Sequence, residues 1–176
     1  MIERLKNIEE LNWLPWIGNQ FDSLKKNRIL VIGESHYHNN SAESIEKHNS
    51  KDYTRIVIDE LAVRRLYGDT KVFQNFHKAI FANDSFDSEI FWNLVAFYNF
   101  IQKPMNTNKG RPSRNDFFEG WLNFFKLIEV LKPQTCIFIG TEASNTFQKA
   151  ISQTNHKIEI FERDEKISGL LRYGIP

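Results

Sequence analysis

Short apolar runs alternate with stretches of helical period along this chain. The runs at residues 29–32, 94–100 and 136–139 are apolar without alternation, which predicts strands buried on both faces, and residues 157–161 predict a fourth strand. Apolar residues recur at helical spacing in the segments 2–11, 56–66, 72–80, 118–131 and 143–151.

This order of elements predicts the fold class. Strands separated by helical patterns are typical of an α/β fold, so we predict three α/β/α layers around a central, mostly parallel sheet of about four strands. We expect one domain over residues 1–176. The segment 13–18, which holds two tryptophans, a proline and a glycine, predicts an aromatic turn after the first helix. Ser113 followed by Asp116 predicts the start of the long helix by a capping box.

The first predicted strand ends at Gly33, and polar or ionisable side chains follow directly, in the order Glu34, Ser35, His36, Tyr37, His38. Ligands of open parallel sheets bind just beyond the carboxyl ends of the strands. Asn99 lies near the end of the second predicted strand and Gly140 ends the third, and the parallel topology places them on the same edge as Gly33. We therefore predict a functional site where these three strand ends converge.

Composition changes this picture little. The single cysteine, Cys136, excludes an internal disulfide and a four-cysteine zinc or iron–sulfur site. No apolar stretch reaches membrane-spanning length, and the N-terminus lacks the apolar core of a signal peptide. We expect a cytoplasmic monomer that uses neither a metal nor a cofactor. The net charge of +1 neither supports nor excludes binding to nucleic acid, because phosphate binding needs a local basic patch.

Three segments together resemble the uracil-DNA glycosylase superfamily. Residues 33–38 are similar to its first motif, whose commonest version reads G-Q-D-P-Y-H, and the thermostable branch has a glutamate at the position of Glu34. Residues 98–112 are similar to that branch's segment T-N-V-V-K-x-x-P-x-x-N-R-x-P, and residues 131–143 to the third strand and following helix. The resemblance runs in order from residue 28 to residue 152.

The sequence departs from that superfamily at two points. Ser35 stands where the commonest version has a water-positioning aspartate, and the second motif, H-P-S, does not occur. Either the chain is a truncated version, or a histidine of the first loop replaces the motif, or the activity has degenerated. Without cysteines for it, the iron–sulfur cluster of the thermostable branch cannot form.

The resemblance implies a DNA glycosylase, which flips a modified or damaged base from DNA and hydrolyses its N-glycosidic bond, in base-excision repair or in defence against foreign DNA. Glu34 suits the stabilisation of an oxocarbenium-like sugar and the orientation of water, and His36 or His38 suits stabilisation of the leaving base. Asn99 offers a donor and an acceptor for reading the base. The other expected contacts to the extruded nucleotide are Gly33, Ser35, Tyr37 and Phe97, and those to DNA phosphates are Lys103, Lys109, Arg111 and Arg114.

Two further interpretations remain open. A glycosylase-like module that binds DNA without cleaving it accounts for the missing second motif. A Glu/His-dependent small-molecule hydrolase, similar to erythromycin-esterase-like enzymes, accounts for the residues Gly33 to His36 but not for Asn99. Glu34 also has the simpler alternative of a structural ion pair, and Asn99 that of a buried amide satisfied by neighbouring backbone.

Overall fold

A four-stranded sheet lies at the centre of the part of the chain that the structure describes. In this computed structural model the described residues are 1–66, 71–81, 87–106, 110–140 and 142–153. The strands are β1 (Trp16–Ile17), β2 (Ile29–Gly33), β3 (Ala96–Asn99) and β4 (Thr135–Phe138), in the spatial order β1-β3-β2-β4. β2 pairs in parallel with both β3 and β4, and β1 pairs antiparallel with β3. The fold is therefore mixed α/β with an open, mostly parallel sheet.

Helices connect the strands. They are α1 (Ile2–Lys6), α2 (Ala42–His48), α3 (Tyr53–Val57), α4 (Lys71–Phe81), α5 (Ser88–Leu94), α6 (Arg114–Leu131) and α7 (Ser144–Ile151), with a 3₁₀ turn at Phe21–Leu24 and a π-helical segment at Ile58–Val63 that continues α3. The predicted capping box starts α6: Ser113 and Asp116 bond each other's backbone N–H groups. No helix within the described ranges is long and apolar enough to cross a membrane.

The alternation of side chains along β2 and β3 divides the apolar core in two. Leu30 and Tyr98 belong to a cluster with the buried face of α6, and Val31 and Phe97 belong to a second cluster with α4 and α5. Successive strand residues point to opposite faces of a sheet, so each face of this sheet has its own apolar cover. The carboxyl ends of the parallel strands are consequently left as the open edge where polar side chains gather.

Three predictions about elements need correction or fall elsewhere. The predicted aromatic turn at residues 13–18 is wrong in part, because Trp16 and Ile17 form the edge strand β1 beside Ala96 and Phe97. The first helix ends at Lys6 rather than Leu11, although Leu11 is buried as expected. The predicted fourth strand, at residues 157–161, lies outside the described residues.

Candidate functional site

Gly33 and Asn99 form the centre of the strand-end site. They are register partners at the last positions of β2 and β3. A Cβ atom added at Gly33 would lie 2.5 Å from Asn99 Oδ1 and 2.7 Å from Phe97 Cζ. The Asn99 carboxamide therefore lies directly over the glycine. A glycine is required at position 33 because the side chains of β3 leave no space for a Cβ atom there.

Asn99 is buried, with 4% of its surface exposed. Within the described residues its side-chain amide forms no hydrogen bond, and neither of its polar atoms is completely sealed from solvent. Buried amides in proteins are normally hydrogen-bonded. An amide held at a strand end with its donors and acceptor available has the properties of a group that reads a ligand.

We expect Gly33→Ala to lower the free energy of unfolding by about 1–3 kcal/mol, because the new methyl group overpacks the contact with Asn99 and Phe97. Urea unfolding of the single and double variants measures this effect. Removing the Asn99 carboxamide relieves the closest clash, so Gly33→Ala should cost less in an Asn99→Ala background. Strictly additive costs in the double variant would contradict the contact.

The two segments that follow β2 and β3 stay paired beyond the sheet. We call residues 34–38 and 100–105 the paired loops. Their contacts alternate along both segments: Ile101 N–H to Glu34 O at 2.8 Å, Ser35 Oγ to Lys103 O at 2.8 Å, Met105 N–H to His36 O at 2.8 Å, and His38 N–H to Met105 O at 3.0 Å. This pairing brings the first polar loop and the loop after Asn99 together, as the parallel topology predicted.

Glu34 lies between a phenol and a guanidinium. Its Oε1 accepts a hydrogen bond of 2.8 Å from the Tyr37 hydroxyl, and its Oε2 lies 2.8 Å from Arg111 Nη2. The Glu34 side chain is 17% exposed and that of Arg111 is 61% exposed. Burial and the hydrogen bond to Glu34 raise the pKa of Tyr37 to about 12, so this hydroxyl remains a donor at neutral pH. The carboxylate is thus held in place by one half-buried and one exposed partner.

His36 lies apart from Glu34, in a buried aromatic cluster. Its Nε2 is 2.8 Å from Thr54 Oγ1, and its ring centroid is 4.8 Å from that of Trp13 and 4.6 Å from that of Tyr53. Burial, with a smaller contribution from His48, lowers the pKa of His36 to about 3. His36 is therefore neutral at physiological pH and packs as a core residue, which fits a supporting role better than contact with a leaving base.

His38 lies at the rim of the same cluster. It is half-buried, its Nδ1 accepts a hydrogen bond from Asn40 N–H, and its ring centroid is 5.6 Å from that of His48. Sequence reasoning missed Trp13, His48, Tyr53 and Thr54 as neighbours of this loop. No apolar period marks residues 48–54, so the sequence carries no signal that this segment packs against His36.

The expected phosphate ligands take different positions. Lys103 pairs with Asp116 of the capping box, Arg111 pairs with Glu34, and Arg114 is exposed at the start of α6. Lys109 lies outside the described residues. Phe97 is buried between Phe73 and Trp92, so it forms the floor beneath Gly33 rather than a free stacking surface.

In the described part of the chain, no group of three or more His, Cys, Asp or Glu side chains has an arrangement that could hold a metal ion. No protein-family model matches the chain, and no curated protein matches it in sequence. The geometry at the strand ends and the motifs of the sequence therefore carry the assignment of function.

Proposed function

We propose that this protein is a DNA glycosylase with the three-layer α/β/α architecture of the uracil-DNA glycosylase superfamily. The carrying observation is the Asn99 carboxamide, which is buried at the carboxyl end of β3, lies over Gly33, and has no hydrogen-bond partner among the described residues. A flipped base offers hydrogen-bond donors and acceptors that can serve as the partners this amide lacks. Glu34 belongs to the loop hydrogen-bonded to the segment after Asn99.

In this proposal the chemistry is divided between two residues. Asn99 reads the Watson–Crick edge of the extruded base, and the Glu34 carboxylate stabilises positive charge on the sugar while it orients a water molecule. The bond between the sugar C1′ and the base nitrogen breaks, and the water oxygen bonds to C1′. Its proton passes to the carboxylate, and the base leaves as an anion. In the proposed reaction His38, which is half-buried, donates a hydrogen bond to that anion.

Arg111 links Glu34 to DNA binding. Its guanidinium is mostly exposed although it is paired with Glu34, and Arg binds phosphate in the same bidentate manner as carboxylate. A DNA phosphate that competes for Arg111 would release Glu34 Oε2 for the attacking water. Lys103, which pairs with Asp116 of α6, and the exposed Arg114 at the start of α6 are further cations that a DNA phosphate could contact.

A glycosylase-like module that binds DNA without cleaving it is the second candidate. The observation that favours it is that both Glu34 oxygens already have partners, together with the missing second motif. The esterase-like interpretation gains no support, because His36 contacts Thr54 and Trp13 rather than Glu34. Action on DNA accords with a monomeric, cytoplasmic protein that needs no cofactor.

A panel of duplexes that carry uracil, damaged bases and hypermodified bases tests the proposal. We expect alkaline cleavage to reveal abasic sites for at least one base, and binding that weakens with salt through contacts to phosphates. Salt-sensitive binding without any abasic product would favour the binding module. No affinity for DNA at low salt would contradict both.

Asn99→Ala tests the base-reading role directly. We expect the ratio of kcat/KM values for the preferred and the next-best base to fall by at least about tenfold, because the amide that discriminates them is lost. Asn145→Ala is the control, since Asn145 is an exposed asparagine whose amide bonds Glu142 at the start of α7. An unchanged base preference in Asn99→Ala would exclude Asn99 as the reading group.

A further inference from the structure

Gln102 is a buried glutamine three residues beyond Asn99, with 7% of its surface exposed. Its Nε2 donates a hydrogen bond of 2.6 Å to the backbone carbonyl of Asn99, and its Oε1 accepts one of 2.9 Å from Trp13 N–H. Its own backbone carbonyl accepts a bond from the Asn12 side chain. One side chain thus joins the end of β3 to the segment before β1.

The bond from Gln102 fixes the peptide that carries Asn99 into the site. The N–H of that peptide, on Phe100, donates to Gly33 O at 2.9 Å, and its carbonyl accepts from Gln102. Because both polar groups of the peptide unit are held, its plane cannot rotate. The direction in which the Asn99 side chain leaves the backbone follows from that plane.

The same side chain reaches the first polar loop through Trp13. The Trp13 ring packs against His36, and its Nε1 donates a hydrogen bond of 2.8 Å to the backbone carbonyl of His48. Gln102 therefore lies at the junction of β3, the N-terminal segment and the aromatic cluster under the loop 34–38. A glutamine that only filled space would not need polar partners in two separate segments.

We propose that Gln102 is the positioning residue that holds the Asn99 carboxamide over Gly33, an inference that rests on the proposed base-reading role of Asn99. It acts on the base through Asn99 and does not touch the reacting atoms. Loss of its Nε2 donor releases the Asn99 carbonyl, so the carboxamide turns away from the geometry needed for the base. A misplacement of about 1 Å at such a group can cost about 100-fold in rate.

Gln102→Glu separates positioning from folding within one protein. An ionised carboxylate repels the Asn99 carbonyl, whereas a protonated one donates to it, and burial raises the pKa of a carboxyl group. The neighbouring Tyr98 phenol stays protonated because burial raises its pKa. We therefore expect the Gln102→Glu defect at pH 8.5 to be reversed at pH 6, while Gln102→Leu is defective at both values.

Gln134 provides a control at the opposite end of the sheet. Its Oε1 accepts from Arg28 N–H and its Nε2 donates to Lys132 O, both at 2.9 Å, so it also bridges two backbone segments. Base release by Gln134→Glu should have the same dependence on pH and the same base preference as the wild-type protein. A stability change common to Gln102 and Gln134 variants can then be recognised as structural.

Two readouts on the full chain complete the test. The ¹H–¹⁵N resonances of the Asn99 side-chain amide report its position without DNA, and single-turnover base release reports rate apart from affinity. We expect Gln102→Leu to shift the Asn99 resonances and to slow base release by about 10- to 100-fold at unchanged DNA affinity. Asn99 resonances that are unchanged in Gln102→Leu, or a Gln102→Glu protein that does not respond to pH, would overturn the positioning role. If Gln102→Leu shifts the Asn99 resonances but the wild-type protein releases no base, the proposed enzyme activity is overturned and the positioning role is not.

Discussion

Glu34→Gln is expected to reduce the rate of base release by about 1,000-fold and to leave DNA affinity nearly unchanged. The carboxylate acts on positive charge that develops in the transition state, and a neutral amide of the same shape loses that interaction. The amide also loses the ion pair with Arg111, for which a separate variant controls. Single-turnover cleavage at saturating enzyme measures the rate, and a titration of labelled duplex measures the affinity. A loss of affinity as large as the loss of rate would show that Glu34 acts in binding.

Two variants control for the partners of Glu34. Arg111→Gln breaks the same ion pair but keeps the carboxylate. This variant should weaken DNA binding, but it should slow base release far less than Glu34→Gln does. Glu43→Gln removes an exposed glutamate that pairs with Lys47 at 2.7 Å on α2, and it should change neither quantity. Equal rate losses in Arg111→Gln and Glu34→Gln would show that the ion pair, and not the carboxylate, is what the activity needs.

The buried His36 should make the stability of the fold depend on pH. Its pKa is lowered to about 3 in the folded protein, against 6.5 for an exposed imidazole, so the unfolded chain binds more protons between these values. Stability is therefore complete above pH 6.5 and is lost as the pH falls. The expected loss between pH 7.5 and pH 5 is about 2 kcal/mol, which urea unfolding at a series of pH values measures.

His36→Gln removes the titrating group and keeps a polar atom that can bond Thr54. This variant should be less dependent on pH over the same range, whatever its absolute stability. His38→Gln, which changes a half-buried imidazole two residues away, should retain the pH dependence because His36 is intact. A His36→Gln protein with the wild-type pH dependence would assign the effect to another group.

The parallel strands were predictable because their sequences are unambiguous. The apolar runs at residues 29–32 and 94–100 predict strands buried on both faces. The second strand is shorter than predicted, because Leu94 ends α5 and β3 covers Ala96–Asn99. The edge strand Trp16–Ile17 was not predictable, because two residues carry no periodicity and tertiary pairing with β3 decides their conformation. Helix α2 was missed because Ile45, its single large apolar residue, is exposed and leaves no amphipathic pattern.

The site was predictable to the extent that topology decides it. Parallel strand ends meet at one edge, so the proximity of Gly33 and Asn99 follows from the order of the strands alone. The pairing of Glu34 with Arg111 joins residues 77 positions apart, and nothing local in either segment indicates it. The burial of His36 depends on Trp13 and Tyr53, which come from two other segments, so a loop histidine could not be recognised as a core residue.

The paired loops limit how this protein can change during evolution. Alternate residues of 34–38 are hydrogen-bonded through their backbones to residues of 100–105, and a shift of one residue in a paired segment turns every following side chain to the opposite side. An insertion or deletion in one loop would therefore misplace Tyr37 and His38 unless the other loop changed its length by the same amount. Lineages of this fold should gain and lose residues in the two loops together, and length variation should concentrate in segments outside them.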